Sequence, residues 1–270
     1  MDWTNTTVLI TGASSGIGAV SARFLAARGL QVILVARREE RLLEIRDEIV
    51  KTGGKADVIQ ADLSVESQRQ AVYDQIVEKC GCPDILINNA GFGWYGYFSD
   101  MPIDVCMNMI EVDIVATVHL TRLFLPEMLK KQQARIISIG SIAGGMPEQG
   151  VVIYAACKAF LDSFSTALYR ELVGTSTTVS VIRCGPVKTE FFDNARNLPN
   201  GHSVPSERLA ISAEDVANGI WKLIQHPKRV RYQPFYYVLS PLLEILFSKV
   251  IDRVGPVLLR LKVKKYPPVK

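Results

Sequence analysis

The first two-thirds of the chain alternate short apolar runs with amphipathic segments. The runs are rich in β-branched and aliphatic residues and cover residues 7–11, 31–36, 56–62, 84–91, 134–141 and 178–186. Near-continuous apolar strands separated by helices are typical of a parallel sheet that helices cover on both faces. Right-handed crossovers then predict an α/β fold with a doubly wound parallel sheet, in a single domain with a C-terminal extension. Ligands of such sheets bind at the carboxyl ends of the strands, so unusual residues there are site candidates.

Composition excludes several other classes of protein. The 270 residues, 48% of them apolar, suffice for the core of one α/β domain. The formal charge of +4 is too small to indicate a nucleic-acid partner. The start of the chain lacks the layout of a signal peptide, and no apolar run reaches about 18 residues, so a cytoplasmic location is predicted. Five cysteines, an odd number, and three scattered histidines indicate reduced thiols and no metal site.

A glycine-rich turn follows the first predicted strand. Its sequence is TGASSGIG, residues 11–18, and a helical pattern comes directly after it. Glycines allow a tight turn and let backbone N–H groups approach a pyrophosphate at a helix N-terminus, and the serine hydroxyls add donors. The turn therefore predicts a dinucleotide-binding site formed by Gly12, Ser14, Ser15, Gly16, Ile17 and Gly18.

Two arginines follow the second predicted strand, where dinucleotide-binding folds often carry an acid that binds the adenine ribose. Arg37 and Arg38 instead offer guanidinium groups, which favour a 2′-phosphate over a free diol. We therefore predict NADP(H) as the cofactor. The alternative is that both arginines only form the solvated start of the next helix.

The next two strand ends also carry candidate cofactor contacts. Asp62 and Leu63 end the third run, where the edge of the adenine would lie. Asn89, Ala90 and Gly91 end the fourth run, where small residues let the backbone touch the cofactor and an amide can tie neighbouring loops. Taken alone, this second group would indicate no more than a turn.

Tyr154 and Lys158 lie four residues apart in the pentapeptide YAACK, with only small residues between them. On a helix the two side chains share one face, so the ammonium group should lower the pKa of the phenol and suit it to general acid–base catalysis. Ser141 ends the fifth predicted strand and can donate a hydrogen bond to a substrate oxygen. Together the three residues predict a catalytic group close to the glycine turn.

In order and spacing, TGASSGIG, NNAG, Ser141, YAACK and CGPVKTE (184–190) resemble the short-chain dehydrogenase/reductase family over roughly residues 5–225. The resemblance implies a Rossmann-type sheet and hydride transfer between a nicotinamide and a carbonyl or alcohol carbon. It implies that Tyr154 protonates the carbonyl oxygen during reduction, that Lys158 also binds the nicotinamide ribose, and that Ser141 orients the carbonyl. By the same resemblance, the nicotinamide carboxamide is held by Pro186, Val187 and Thr189.

One position departs from the pattern of that family. Where the family usually has an Asn that supports a proton-relay water near the lysine, this chain has Asp113. An Asp can accept from a water, but it adds a negative charge and lacks the amide donor. We therefore expect a different or weaker relay rather than a loss of activity. The resemblance also implies a homodimer or homotetramer that assembles through the two long helices.

The C-terminal part of the chain predicts a lid and a basic extension. Residues 190–212 are polar, contain Pro and Gly, and follow the cofactor-holding segment, so we expect an active-site lid or else a disordered surface loop. From residue 228 to 270, ten basic and two acidic residues give a charge of +8, which leaves −4 for the rest. We predict a catalytic domain over residues 1–230 and a basic amphipathic extension over 231–270.

The extension carries one apolar helical stripe over residues 243–261, which the pair Gly255-Pro256 should break into two pieces. Three interpretations are open: contact with an anionic membrane surface, a wall of a lipophilic substrate site, or subunit or core packing. All three favour a lipophilic environment, so the predicted substrate is a 3-oxoacyl, sphingoid or steroid-like ketone or alcohol. The alternative functions are a non-catalytic NADP(H) sensor and a membrane-surface scaffold.

Overall fold

Parallel strands form a single sheet in the computed structural model, which describes residues 3–263. Seven strands lie in the described chain, namely β1 (Thr7–Thr11), β2 (Gln31–Ala36), β3 (Lys55–Gln60), β4 (Ile85–Asn88), β5 (Ala134–Ser141), β6 (Thr177–Cys184) and β7 (Val230–Gln233). Their order is β3-β2-β1-β4-β5-β6-β7, and every neighbouring pair is parallel. The order reverses between β1 and β4, which confirms the predicted doubly wound sheet.

Helices cover both faces of this sheet. The described helices are α1 (Gly16–Ala26), α2 (Glu39–Lys51), α3 (Glu66–Cys80), α4 (Ile103–Ile110), α5 (Ala116–Met128), α6 (Val152–Glu171), α7 (Phe191–Asn197), α8 (Ala213–Gln225) and α9 (Ser240–Val263). Residues of α1, α2 and α8 form one hydrophobic core with Val8 and Ile10, while residues of α3, α5 and α6 form a second core with Leu9. Alternate residues of a strand point to opposite faces, so the single apolar run of β1 contributes to both cores.

The edge strand β7 lies outside the six predicted runs. Its sequence, VRYQ, is short and polar, and its residues are only half-buried because within the described sheet it pairs with β6 alone. An edge strand need not be apolar on both faces, so hydrophobicity does not reveal it. β7 also crosses position 230, so the sheet includes the first residues of the predicted extension. The division into two parts at that position stays a prediction.

The helical stretch over α4 and α5 contains a π-helical turn, Glu111–Val115. A π turn inserts one extra residue into a helix and often marks a functional site. Here the turn carries Asp113, which is completely buried. A polar side chain therefore points toward the interior between two otherwise regular helices.

The segments after β6 are more regular than predicted. Residues 190–212 contain α7 and a 3₁₀ turn, Pro205–Leu209, rather than a loop without regular structure. α9 confirms the predicted C-terminal helix but runs through Pro256 without the predicted break. A proline removes one N–H···O bond, and the turns on either side can keep theirs. The side chain at position 258 of the predicted stripe and residues 264–270 lie outside the described residues.

Candidate active site

The glycine turn is tied to the end of β4. The Asn89 side-chain amide donates to the carbonyls of Thr11 and Gly12, at 2.8 and 3.2 Å. The Thr11 hydroxyl accepts from the backbone N–H groups of Asn89 and Ala90. Gly12 has a φ of 64°, and a Cβ there would lie 2.8 Å from the Cα of Ala90. The close approach of the two segments therefore requires glycine at position 12.

The start of α1 offers a cradle for an anion. A Cβ at Gly18 would lie 2.4 Å from the carbonyl oxygen of Gly12, so glycine lets the helix and the turn meet. Within the described chain, Ser15 holds the N-cap position of α1 without a side-chain capping bond, which leaves the first N–H groups of the helix to a ligand. Thr189 lies across the turn, against Gly16. This cradle fits the pyrophosphate of a dinucleotide.

Arg38 lies beside the cradle. Its guanidinium group donates to the Ser14 hydroxyl at 3.3 Å and forms an ion pair with Glu190 at 2.8 Å. Arg37 follows the last residue of β2 and is exposed. Arg38 is therefore bonded across the turn rather than only solvated, whereas both interpretations of Arg37 stay open.

Ser141, Tyr154 and Lys158 meet at the carboxyl end of β5. Ser141 is the last residue of this strand and hydrogen-bonds with the Tyr154 hydroxyl. The Lys158 Nζ lies one helical turn along α6, 5.4 Å from the centre of the Tyr154 ring. It also donates to the Ile139 carbonyl at 3.3 Å. The structure thus brings the three predicted catalytic residues together.

Asp113 faces Lys158 from the π turn. Its carboxylate lies 3.2 Å from the Lys158 Nζ and accepts a hydrogen bond from the Phe92 N–H at 3.1 Å. Gly91 packs on the same carboxylate, because a Cβ there would lie 2.9 Å from its Oδ1. The departure from the family pattern at this position therefore takes the form of a buried ion pair.

Burial opposes the predicted acidity of the phenol. It raises the pKa of Tyr154 above its usual range, and the Lys158 charge and the Ser141 hydrogen bond offset this only in part. Asp113 adds to the rise, because its negative charge disfavours a tyrosinate. Burial alone would lower the pKa of Lys158, but the charges of Asp113 and Tyr154 raise it to about 12. The prediction of a net lowered pKa for Tyr154 is wrong, although the sign of the Lys158 contribution is right.

A cleft runs from the glycine turn to Tyr154. The predicted site residues that line it are Gly12, Ser15, Gly16, Ile17, Asn89, Gly91, Ser141, Tyr154, Lys158, Pro186, Val187 and Thr189. Ala90 and Gly18 support the turn behind this lining. Leu63 is buried in the core, and the Asp62 carboxylate accepts from the Ser64 hydroxyl at 2.7 Å, in the turn before α3. Contacts of Asp62 and Leu63 with an adenine remain predictions.

The cleft also has an aromatic wall, which the sequence patterns did not predict. We use this name for the lining residues Phe92, Trp94, Tyr95, Phe191 and Phe192. The first three belong to the run GFGWYGYF, residues 91–98, which begins three residues after the end of β4. Aromatic residues directly after a strand end were the signal that could have revealed them. Met146 and Glu148 also line the cleft, from a loop in which no sequence pattern marks them.

Residues 190–212 lie along the cleft and supply Phe191 and Phe192 to the aromatic wall. The Phe191 ring lies 5.3 Å from the Tyr154 ring. The Trp94 Nε1 donates to the Pro199 carbonyl at 3.0 Å. Both contacts support the predicted lid, whose opening and closing remain a proposal.

All five cysteines are free thiols, and three of them are buried. Among residues 3–263, no group of three or more His, Cys, Asp or Glu side chains is placed to hold a metal ion. No described helix is both long and apolar enough to cross a bilayer.

Known proteins resemble this chain in both sequence and fold. The family model for short chain dehydrogenases matches residues 6–199. The ketoacyl reductase HetN of a Nostoc species is 34% identical over 226 residues, which cover 83% of this chain and 76% of the relative. The NADP-dependent 3-hydroxy acid dehydrogenase YdfG of Escherichia coli is 33% identical over 231 residues, 83% of this chain and 90% of the relative.

A solved structure agrees over nearly the whole length. The short-chain dehydrogenase from Sphingobium yanoikuyae in complex with NADPH matches with a TM-score of 0.78 and 27% identity, over 98% of this chain and 97% of that one. The family match covers well over half of the chain, which confirms both the predicted family and the predicted oxidoreductase class. The chain belongs to the short-chain dehydrogenase family.

Proposed function

We propose that the protein is an NADP(H)-dependent oxidoreductase that interconverts a lipophilic ketone and a secondary alcohol. The observation that carries this proposal is the half-buried phenol of Tyr154, hydrogen-bonded to Ser141 and adjacent to Lys158, in a cleft that begins at an anion cradle. A phenol with its ordinary pKa of about 10 is already protonated at neutral pH, and burial raises the pKa of Tyr154 further. A protonated phenol is prepared to act as the acid in ketone reduction.

The chemistry divides between cofactor and protein. When bound, the reduced nicotinamide supplies the hydride that reaches the carbonyl carbon. Tyr154 gives its O–H proton to the carbonyl oxygen as the carbon–oxygen double bond becomes single, and the phenol is left as a tyrosinate. Ser141 donates a hydrogen bond to the same oxygen, and Lys158 stabilises the tyrosinate by its charge. The Asp113 carboxylate holds the Lys158 ammonium in place through their ion pair.

The proposed cofactor is NADP(H). Arg38 and Ser14 lie together at the end of β2, where an adenosine 2′-phosphate would meet a guanidinium group. Glu190 competes for the same guanidinium in the structure. The NADPH complex of the Sphingobium protein and the NADP dependence of the Escherichia coli relative support this choice.

The proposed substrate is a neutral or cationic lipophilic ketone. The aromatic wall and Met146 supply an apolar surface, and Glu148 and Lys158 are the charged residues of the lining. Lys158 is already paired with Asp113, and no arginine belongs to the described lining. A free carboxylate would therefore meet Glu148 without a cation to balance it. Steroid-like ketones, sphingoid ketones and 3-oxoacyl groups without a free carboxylate fit this site better than free 3-oxo acids.

A Tyr154→Phe variant tests the function. We expect at least a hundredfold loss of ketone-dependent NADPH oxidation, with NADPH affinity unchanged in a fluorescence titration. Tyr169→Phe is the matched control, because this tyrosine lies on the same helix but packs in the core away from the cleft. Full activity in Tyr154→Phe, or binding of NADPH without turnover of any ketone by the unaltered protein, would favour the alternative of a cofactor-sensing protein.

The assembly state is a separate proposal. Family resemblance implies a homodimer or homotetramer, and size-exclusion chromatography with light scattering measures it directly. A monomer at micromolar concentration would contradict it. The proposed active site does not depend on the outcome, because every residue assigned a role comes from one chain.

A further inference from the structure

Helix α9 packs on the protein mainly through polar and small residues, with Leu259 as its one buried apolar side chain among the described residues. Ser240 is 2% exposed, and Glu244, Ser248 and Gly255 are half-buried on the same side. Gly255 lies against the Gln149 side chain, where a Cβ would come within 1.8 Å of its Oε1. A surface helix of a soluble protein usually turns its apolar side inward. α9 has the opposite polarity over most of its length.

The outward side of α9 is apolar. We call it the α9 apolar face; its members are 45–69% exposed and are Leu243, Leu246, Phe247, Val250, Val254, Val257 and Leu261. Spacings of three and four residues place them on one side of the helix. The 3₁₀ turn before α9, Phe235–Leu239, extends the surface with Phe235, which is 81% exposed, and Tyr236. Contiguous exposed apolar surface of this length marks a contact with a membrane or another protein.

Three cations form a second row beside this face. Lys249, Arg253 and Arg260 are four and seven residues apart, so they lie in line along the helix next to Leu246 and Val257. We call them the α9 basic row. The exposed acid Asp252 lies on the side of this row that is turned away from the apolar face. An apolar face bordered by Lys and Arg is the pattern of a helix that lies in the headgroup layer of an anionic bilayer.

We propose that α9 and the turn before it bind the protein to the surface of anionic membranes. The apolar face enters the boundary between headgroups and acyl chains, and the basic row contacts lipid phosphates. A second copy of the chain fits the charges less well. In an antiparallel two-fold pair of these helices, the basic row of one copy would lie beside the same row of the other, and the like charges would repel.

The membrane contact adjoins the proposed substrate cleft. Pro241 of α9 lies near Gly145, and Gln149 contacts Gly255, so α9 rests on the loop that carries the lining residues Met146 and Glu148. A lipophilic ketone dissolved in the bilayer would therefore be held close to that loop. This last step rests on the proposed function, whereas the membrane contact itself does not.

Vesicle flotation of the full chain tests the proposal. We expect binding to vesicles of phosphatidylcholine with phosphatidylglycerol and much weaker binding to pure phosphatidylcholine. The double variant Leu246→Gln/Val250→Gln should lower the partition coefficient about tenfold or more. Ile103→Gln/Val173→Gln, which changes apolar residues that are even more exposed but lie elsewhere on the surface, should leave it unchanged. Each of Lys249→Gln, Arg253→Gln and Arg260→Gln should lower it about fivefold.

Three results would overturn the proposal. One is no flotation of the unaltered protein with anionic vesicles. Another is equal loss of binding in the double variant and its control. The third is light scattering in which Leu246→Gln/Val250→Gln turns an oligomer into a monomer while neither protein binds vesicles, since the face would then belong to a second copy. Tyr154→Phe should bind vesicles normally, so a failed catalytic proposal cannot be mistaken for a failed membrane proposal.

Discussion

At the residue scale, the properties of the site depend on which charges are buried beside Tyr154. Lys158 alone would favour the tyrosinate, but Asp113 and burial both favour the neutral phenol. The ion pair of Asp113 and Lys158 holds two charges in the interior at 3.2 Å. Removing one member of such a pair leaves the other without compensation, at a cost of about 3–5 kcal/mol.

Asp113→Asn should shift the pH dependence of reduction. Removing the carboxylate charge lowers the pKa of Tyr154, because Asp113 raises it in the native protein. Reduction requires the protonated phenol, so kcat/KM should be flat through neutral pH and fall at high pH. In the variant this fall should begin at lower pH. A profile that does not move, or that moves to higher pH, would contradict the proposed influence of Asp113 on the proton donor.

Comparing Asp113→Leu with Asp113→Asn separates the hydrogen bond that this side chain accepts from the charge that it carries. Asp113→Leu leaves the ammonium of Lys158 buried without its partner, so urea unfolding should show a loss of about 3–5 kcal/mol. Asp113→Asn keeps a hydrogen-bond acceptor for the Phe92 N–H and should lose less. Equal losses in the two variants would show that the charge of Asp113, which both variants remove, carries the stability, and that the hydrogen bond from the Phe92 N–H adds nothing.

Arg38→Ala should weaken the binding of NADPH but not that of NADH. Loss of a charge-assisted contact with the 2′-phosphate should raise KM for NADPH about ten- to a hundredfold and leave KM for NADH within about twofold. Arg41→Ala, in the first turn of the helix that follows Arg38, is the control, because Arg41 pairs with Glu44 at 3.2 Å. Glu190→Gln should lower KM for NADPH by freeing the Arg38 guanidinium. Equal effects of Arg38→Ala on both cofactors would remove the basis for choosing NADP(H).

At the scale of elements, the turn between β1 and α1 keeps the shape of an anion cradle because the end of β4 is bonded to it. Thr11 and Asn89 join the two strand ends through four hydrogen bonds. Gly12 provides the space for this contact. Phe191 and Phe192, from residues 190–212, line the other side of the cleft, and the Phe191 ring is tilted at 57° to the Tyr154 ring.

Gly12→Ala should lower both stability and NADPH affinity, because the added Cβ strains the backbone and also collides with a neighbouring segment. Its Cβ would lie 2.8 Å from the Cα of Ala90, so the turn must move. Gly53→Ala is the matched control, since Gly53 also has a positive φ, 85°, but nothing lies within 4 Å of its Cβ position. We expect about 1 kcal/mol of lost stability in the control, and in Gly12→Ala a loss of at least tenfold in NADPH affinity as well. Calorimetric titration and urea unfolding measure the two quantities.

Phe191→Ala should affect substrate binding rather than cofactor binding. The ring contacts Tyr154 and lies over Gly93 in the aromatic wall. Its removal should raise KM for lipophilic ketones about tenfold and leave KM for NADPH unchanged. Phe160→Ala, on the outer side of α6 in a stacked pair with Phe164, should change neither constant. A parallel rise in both constants would mean that the segment supports the whole site and is no lid.

At the scale of the whole molecule, the two cores of the sheet hardly involve α9. Among the described residues of this helix, Leu259 is the one buried apolar side chain. A chain that ends after Leu239 should therefore fold, bind NADPH, and lose only about 1–2 kcal/mol, or roughly 2–8 °C in Tm. It should not float with anionic vesicles. Failure of this truncation to fold would show that α9 belongs to the structural core and would weaken its assignment as a membrane helix.

The sequence by itself determined the order of the elements and the identity of most site residues. Alternating apolar runs, glycine spacing and the four-residue step from Tyr154 to Lys158 are local patterns, and the doubly wound fold places all of them at one edge of the sheet. β7 could not be predicted in this way, because an edge strand lacks an apolar pattern. The run GFGWYGYF could have revealed three members of the aromatic wall, but their meeting with Phe191 and Phe192 could not be predicted, because the two segments come together only in three dimensions.

Only the tertiary structure decided the electrostatics and the exposed surfaces. The net pKa of Tyr154 depends on burial, which outweighs the nearby cation, and the pairs of Asp113 with Lys158 and Arg38 with Glu190 join residues far apart in the chain. The apolar stripe of α9 could equally have faced inward. Desolvation and contacts between distant segments are properties of the folded molecule, so no local pattern can fix them.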